Sequence, residues 1–192
     1  TSNICTAQAL LANMSAFYAV YHGPEGLSSI ASTIHAKAKA VALAAESAGH
    51  KVRHEQFFDT VTIELNEKTS LRSFTNAASE RQFNVFANDQ QNTISIAVDK
   101  ATKIHHIEQV FECLGLKDSD VRQLIDLASS RGENQWADNL VRKDTFMQQD
   151  VFHAHRSETE LMRYIYKLQR RDYGLGNGMI PLGSCTMKLN PA

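Results

Sequence analysis

Met179–Ala192 reads MIPLGSCTMKLNPA and gathers the most reactive side chains of the sequence into one short run. Ser184 and Thr186 bring two hydroxyls, Cys185 a thiol and Lys188 a cation. They follow Gly183, where the missing Cβ lets backbone approach a ligand closely. Amides, hydroxyls and a positive charge in one loop suit an anion such as a phosphate or carboxylate. Lys188 could also be read as a Schiff-base lysine or as a partner for Ser184. The Ser-x-x-x-Lys spacing is not the Ser-x-x-Lys of serine acyl-transferases, so that last pairing fails. From residue types alone, an ordinary polar loop remains the alternative.

The other candidates carry less. His105 and His106 are adjacent on an expected helix and cannot share a face. His153 and His155 would share one face of an extended segment, as two zinc ligands could, but no third ligand stands nearby in sequence. Gly174–Gly178 (GLGNG) has neither GxGxxG spacing nor a preceding strand, so it reads as a connector. No metal site is expected.

The elements that must hold these residues begin with a helix in SNICTAQALLANMSAFYAVYHGP. Ile4, Ala7, Leu11, Met14 and Tyr18 follow helical spacing, and Gly23-Pro24 stops it. Small residues on the other side allow burial nearly all round. Pro24 and Glu25 suit the first turn of a second helix with a stripe at Leu27, Ile30, Ile34, Ala38, Val41 and Ala45, capped by Gly49. The period then changes to two. Val61, Ile63 and Leu65 alternate with Thr62 and Glu64, a strand with one wet face, and Lys51 to Phe58 is expected beside it. Thr69 to Ser79 returns to a helix with Leu71, Phe74 and Ala78 inward. Phe83–Phe86 and Thr93–Val98 suggest a hairpin around NDQQN. Thr102 is expected to cap a helix carrying Ile104, Ile107, Phe111 and Leu114 up to Gly115. A further helix is expected over Asp118–Ala128.

This order predicts an α+β fold, a small antiparallel sheet with helices on one face. Ser129–Asp150 reads as a linker. SETELMRYIYKLQRRD restarts a helix, with Ser157 and Glu160 as a capping box and a stripe at Leu161, Ile165 and Leu168. The expected divisions are a connecting helix over 1–22, an α+β domain over 23–130, a linker over 131–156 and a helical extension over 157–192.

The bulk numbers fit a globular chain: 192 residues, 43% hydrophobic, 21% charged, net charge −1. Near-neutrality argues against nucleic acid or anionic membrane as a partner, and no apolar run approaches membrane-span length. Three scattered cysteines form neither a disulfide framework nor a CxxC zinc pattern, and suit a reducing compartment. The opening TSNICTAQ has no initiator Met and no signal pattern, and is expected to be internal to something longer.

SETELMRYIYKLQRRD followed by MIPLGSCTMKLNPA resembles the start of the second half of the glycine cleavage system P-protein family. TSNICTAQALLANMSAFYAVYHGPEGL resembles a second hallmark stretch of the same family. The likeness therefore touches both ends of the chain, while residues 50–150 are generic. GLGNGMIPLG departs from it, with Gly-Asn-Gly where the family has a more polar run.

The resemblance implies a parent glycine dehydrogenase (decarboxylating) of aspartate-aminotransferase-like fold type I. Such an enzyme uses pyridoxal phosphate to decarboxylate glycine, releases CO2 and passes the aminomethyl group to the lipoyl-carrying H-protein. It also implies a homo-oligomer or a pseudo-dimer of halves, in a bacterial cytoplasm or a mitochondrial matrix. The family's cofactor lysine lies downstream of the SCTMK string, so Lys188 is not that lysine and this chain carries no catalytic residue. Ser184, Cys185, Thr186 and Lys188 would line the active-site mouth. The chain alone is expected to be inactive and not to bind the cofactor. The alternative is a non-catalytic α+β module that pairs through its apolar first helix.

Overall fold

The computed structural model describes residues 7–116, 121–130 and 140–171. They form an α+β arrangement with one four-stranded antiparallel sheet. The chain divides into two compact units, Ser28–Asp144 on the one hand and, on the other, the residues up to Leu27 with those from Thr145.

Helix α1 (Ala7–Ser47) is two helices joined at Gly23, whose φ of 62° and ψ of −178° belong to a region open only to glycine. Pro24 then sits in the first turn of the second helix, where its missing N–H leaves no bond unmade. The stop read from Gly23-Pro24 is thus a real break. At the far end, Gly49 has φ 78°. Its amide donates to Glu46 O at 2.9 Å and the His50 amide to Ala45 O at 2.9 Å. This is the paired closure a left-handed glycine permits.

Within Ser28–Asp144 the sheet runs β1 (Lys51–Val52), β2 (Thr60–Glu64), β4 (Thr93–Ala97), β3 (Phe86–Asn88) from edge to edge. The register sets Val61 opposite Ile96 and Ile63 opposite Ile94. All four are buried against the helices. One residue out of phase, Thr62 and Ser95 face each other and share a hydroxyl–hydroxyl bond of 2.9 Å. Period-two patterning has therefore produced one dry and one hydroxyl-bearing face.

The dry face is covered by the second part of α1, by α2 (Leu71–Glu80) and by α3 (Ile104–Cys113). Alanines at 38, 40, 44 and 45 lie at 0% exposure, with Val41 between them. Phe74 and Phe111 fill the wider space beyond.

Several boundaries differ from the sequence reading. The strand that flanks β2 on the side away from β4 is only Lys51–Val52, plus one further bond from the Arg53 amide to Thr62 O at 2.9 Å. Beyond it the Phe58 carbonyl binds His35 Nδ1 at 2.9 Å, and Phe57 and Phe58 pack on that imidazole. The chain is drawn off the sheet by an aromatic contact. β3 starts at Phe86 rather than Phe83 because α2 closes late: Gln82 has φ 61° and the Phe83 amide reaches back to Ala78 O at 3.1 Å. Thr102 does not cap α3. Its hydroxyl donates to the Asp99 carboxylate at 2.8 Å, and the cap position falls to Lys103, whose amide is taken by His106 Nδ1 at 3.1 Å.

Helix α4 (Val121–Ser130) ends the described part of this unit before residue 140. In the other unit, α5 (Val151–Ala154) is a single turn and α6 (Glu158–Gln169) opens on Ser157, whose hydroxyl accepts the Glu160 amide at 3.2 Å.

Candidate functional site

Ser184, Cys185, Thr186 and Lys188 lie outside the described residues, as does the GLGNG connector. What the structure does bring together is a polar cluster at the break in α1. Pro24 and Glu25 open the second helix of α1, and Glu25 Oε2 accepts from Arg156 Nη2 at 2.7 Å. The same guanidinium donates through Nε to Phe152 O at 3.2 Å, and through Nη2 to His153 Nδ1 at 3.1 Å. Arginine can only donate, so His153 Nδ1 is the acceptor. The ring's proton then sits on Nε2, which donates to Met147 O at 3.0 Å. Met147 is held at φ 53°.

Gly23 belongs to this cluster sterically. A Cβ there would lie 2.4 Å from Arg156 Nη2 and 2.6 Å from its Cζ. The guanidinium occupies the space a side chain would fill. The Glu25 carboxyl is held below the usual carboxylate range, first by the helix-start amide of Glu25 itself and then by Arg156. Neither Arg156 nor Glu25 was singled out from sequence as a pair. The signal available was HGPEG, a glycine ahead of a helix-starting Pro-Glu.

The histidine candidates separate. His153 and His155 are not on an extended segment: His153 lies in α5 and His155 closes it. The His155 ring stacks on Tyr164 with centroids 4.2 Å apart, so the two imidazoles serve different partners. His105 and His106 touch each other edge to face. Among the described residues no group of three His, Cys, Asp or Glu could hold a metal ion.

Three further groups in Ser28–Asp144 are perturbed, among them Asp99, whose carboxyl is held down chiefly by the Thr102 hydroxyl and amide. Burial pushes the His35 imidazole down, against the Phe58 carbonyl bond, which favours its charged form. Burial likewise pushes the Cys113 thiol up, which suits an inert core thiol.

The described residues do not form a seat for pyridoxal phosphate. Their buried polar side chains are His50 and Thr93 alone, and no described lysine is buried. A Schiff-base lysine needs a desolvated amine over a phosphate cradle. Among the described residues no helix is long and apolar enough to cross a membrane.

Comparison with known proteins decides the lineage. The model of the glycine cleavage system P-protein family matches residues 1–114, more than half of the chain. The chain belongs to that family. It is 42% identical over 190 residues to the glycine dehydrogenase (decarboxylating) of Vibrio cholerae, covering 99% of this chain and 19% of that protein. It is 40% identical over 193 residues to the enzyme of the same name from Aliivibrio salmonicida, again 99% of this chain and 20% of that protein. The Rhodopseudomonas palustris protein of that name is 42% identical over 192 residues. The chain thus spans about a fifth of the length of the curated relatives it matches.

Proposed function

We propose that this chain is part of a pyridoxal-phosphate-dependent glycine dehydrogenase (decarboxylating). That enzyme releases CO2 from glycine and delivers the aminomethyl group to a lipoyl-bearing H-protein, in a bacterial cytoplasm or a mitochondrial matrix. The observation that carries this reading is near-complete coverage of the chain by relatives of that name at about two-fifths identity. The cofactor, when bound, supplies the electron sink that decarboxylation needs. No step through it is assigned to the described residues, which lack a seat for it.

Within the reading, this chain contributes a framework and one wall. Residues 23–130 act as an α+β domain, 1–22 as the helix leading into it, 131–156 as a connector and 157–192 as the approach to the wall. Ser184, Cys185, Thr186 and Lys188 line that wall and meet substrate or phosphate through hydroxyls, amides and a cation. A second copy, or the second half of a longer polypeptide, completes the cleft. The chain alone is inactive.

The test is exchange of labelled bicarbonate into the glycine carboxyl, with lipoyl H-protein and pyridoxal phosphate present. The 192-residue chain should give none, and the longer reading frame that contains it should give exchange. Activity from the chain alone, or none from the longer protein, overturns the reading. Loss of exchange in Lys188→Ala of the longer protein, with cofactor absorbance retained, is expected for a wall residue. Loss of the absorbance itself would make Lys188 the Schiff-base lysine instead.

A further inference from the structure

The cluster at the break in α1 has the construction of a fastening. Its polar contacts join Glu25 and Arg156, residues 131 positions apart. On Arg156 the Nε hydrogen goes to Phe152 O, and the two hydrogens of Nη2 go to Glu25 and His153. Phe152 O also lies 3.1 Å from Nη2, so that carbonyl is shared. His153 relays the contact to Met147 O. One guanidinium thus ties the turn before α5, α5 itself and the second helix of α1.

The same fastening is exposed. The Glu25 side chain is 69% accessible and that of Arg156 36%. Helix α5 is one turn with no buried residue. Exposed ion pairs contribute little individually and are screened by salt. Segments with few buried contacts open locally, well below the free energy of global unfolding. The core of Ser28–Asp144, by contrast, rests on fully buried Phe, Ile, Leu and Val side chains.

We infer that residues Thr145–Arg156 form a releasable strap over the α1 break, with Arg156 as its lock and Gly23 as the seat of the lock. Closed, the guanidinium lies in the space left by the absent Cβ and clamps Phe152, His153 and Glu25 together. Open, Glu25 and the Met147 carbonyl return to water, and the left-handed strain at Met147 is released. The strap opens without unfolding the sheet. Lysine cannot replace the lock, because an ammonium lacks the fork that serves these acceptors at fixed angles.

The experiment is native-state hydrogen exchange on the 192-residue chain, with chymotrypsin cleavage after Phe146 and Phe152 as a second readout. The Phe152 and His153 amides report the strap, and the Leu65 and Val98 amides report the sheet. Arg156→Met should speed exchange in the strap roughly tenfold, as expected for loss of charge-assisted bonds, and leave the sheet amides unchanged. Arg156→Lys should behave nearly like Arg156→Met. Gly23→Ala should open the strap by blocking the seat, and Glu25→Gln should abolish most of the acceleration that the parent chain shows at roughly 1 M salt. Unchanged strap exchange in Arg156→Met or in Gly23→Ala overturns the inference. So does equal acceleration of strap and sheet amides, which would make opening a global event.

Discussion

The buried imidazole of His50 holds the Leu114 carbonyl through Nε2 at 3.2 Å, across 64 residues of sequence. On its other side Nδ1 accepts the Asn66 amide at 3.2 Å. An amide can only donate, so the proton sits on Nε2 and the tautomer is fixed. One ring thereby joins the end of α1, the exit of β2 and the close of α3.

Replacing that ring should be costly. His50→Ala leaves the Leu114 carbonyl and the Asn66 amide without partners and opens a cavity. The expected destabilisation is about 2–4 kcal/mol, read as a lower urea midpoint at unchanged m-value. A midpoint within error of the parent would mean water replaces both bonds.

Gln82 offers a gain. It sits at φ 61° where α2 closes, with the Phe83 amide bonded to Ala78 O. Left-handed backbone disfavours any side chain with a Cβ, while glycine adds entropy to the unfolded chain. Gln82→Gly should stabilise by about 0.5–1 kcal/mol net, measured by thermal melting. A lower melting temperature would show that the glutamine side chain contributes more than its backbone loses.

His35 should give a pH signature. Its folded pKa lies below the ordinary value of 6.5, chiefly through burial, with Lys39 adding to it. A histidine so depressed binds its proton more readily when unfolded. Its contribution to stability is therefore present above the unfolded pKa and lost as pH falls through and below that value. Melting temperature should fall on acidification from neutral pH. His35→Phe should remove that part of the slope, and an identical slope in the variant would exclude His35 as its source.

Cys113 is expected to resist alkylation. It is buried beside Phe111 and Leu114, and its thiol titrates above the usual range because of that burial. Iodoacetamide followed by peptide mass mapping should leave Cys113 unlabelled in buffer and labelled in urea. Rapid labelling of the native chain would mean that α3 opens locally.

Brief proteolysis addresses the proposed divisions. A protected product ending near Ser130 is expected if 23–130 acts as a domain and 131–156 as a connector. Resistance of the whole chain would refute that boundary.

What the sequence made legible was whatever depends on neighbours along the chain. Alternation in TVTIEL located β2 and its dry face, and Gly23-Pro24 located the break in α1. The capping serine of α6 was visible from Ser157 and Glu160. Contacts between distant residues left no such trace. Nothing in VFHAHR shows that Arg156 meets Glu25, and its alternating look concealed a helical turn at α5. Gln82 carries none of the turn chemistry of Gly, Asn or Asp, so the late close of α2 and the shift of β3 to Phe86 were hidden. His50 resembled any helix-end histidine until the sheet and α3 were assembled around it. The residues with the most suggestive chemistry, Ser184 to Lys188, lie outside the described part of the chain.

The alanine run of α1 also sets which changes the chain can absorb. Ala38, Ala40, Ala44 and Ala45 are wholly enclosed on more than one side of the helix, and a larger side chain at any of them would have to displace its neighbours. Thr62 and Ser95, on the other face of the sheet, are only half-buried. Sequence drift in this unit should therefore be lopsided, wider at the half-buried hydroxyl positions and confined to small residues around this stretch of a single helix.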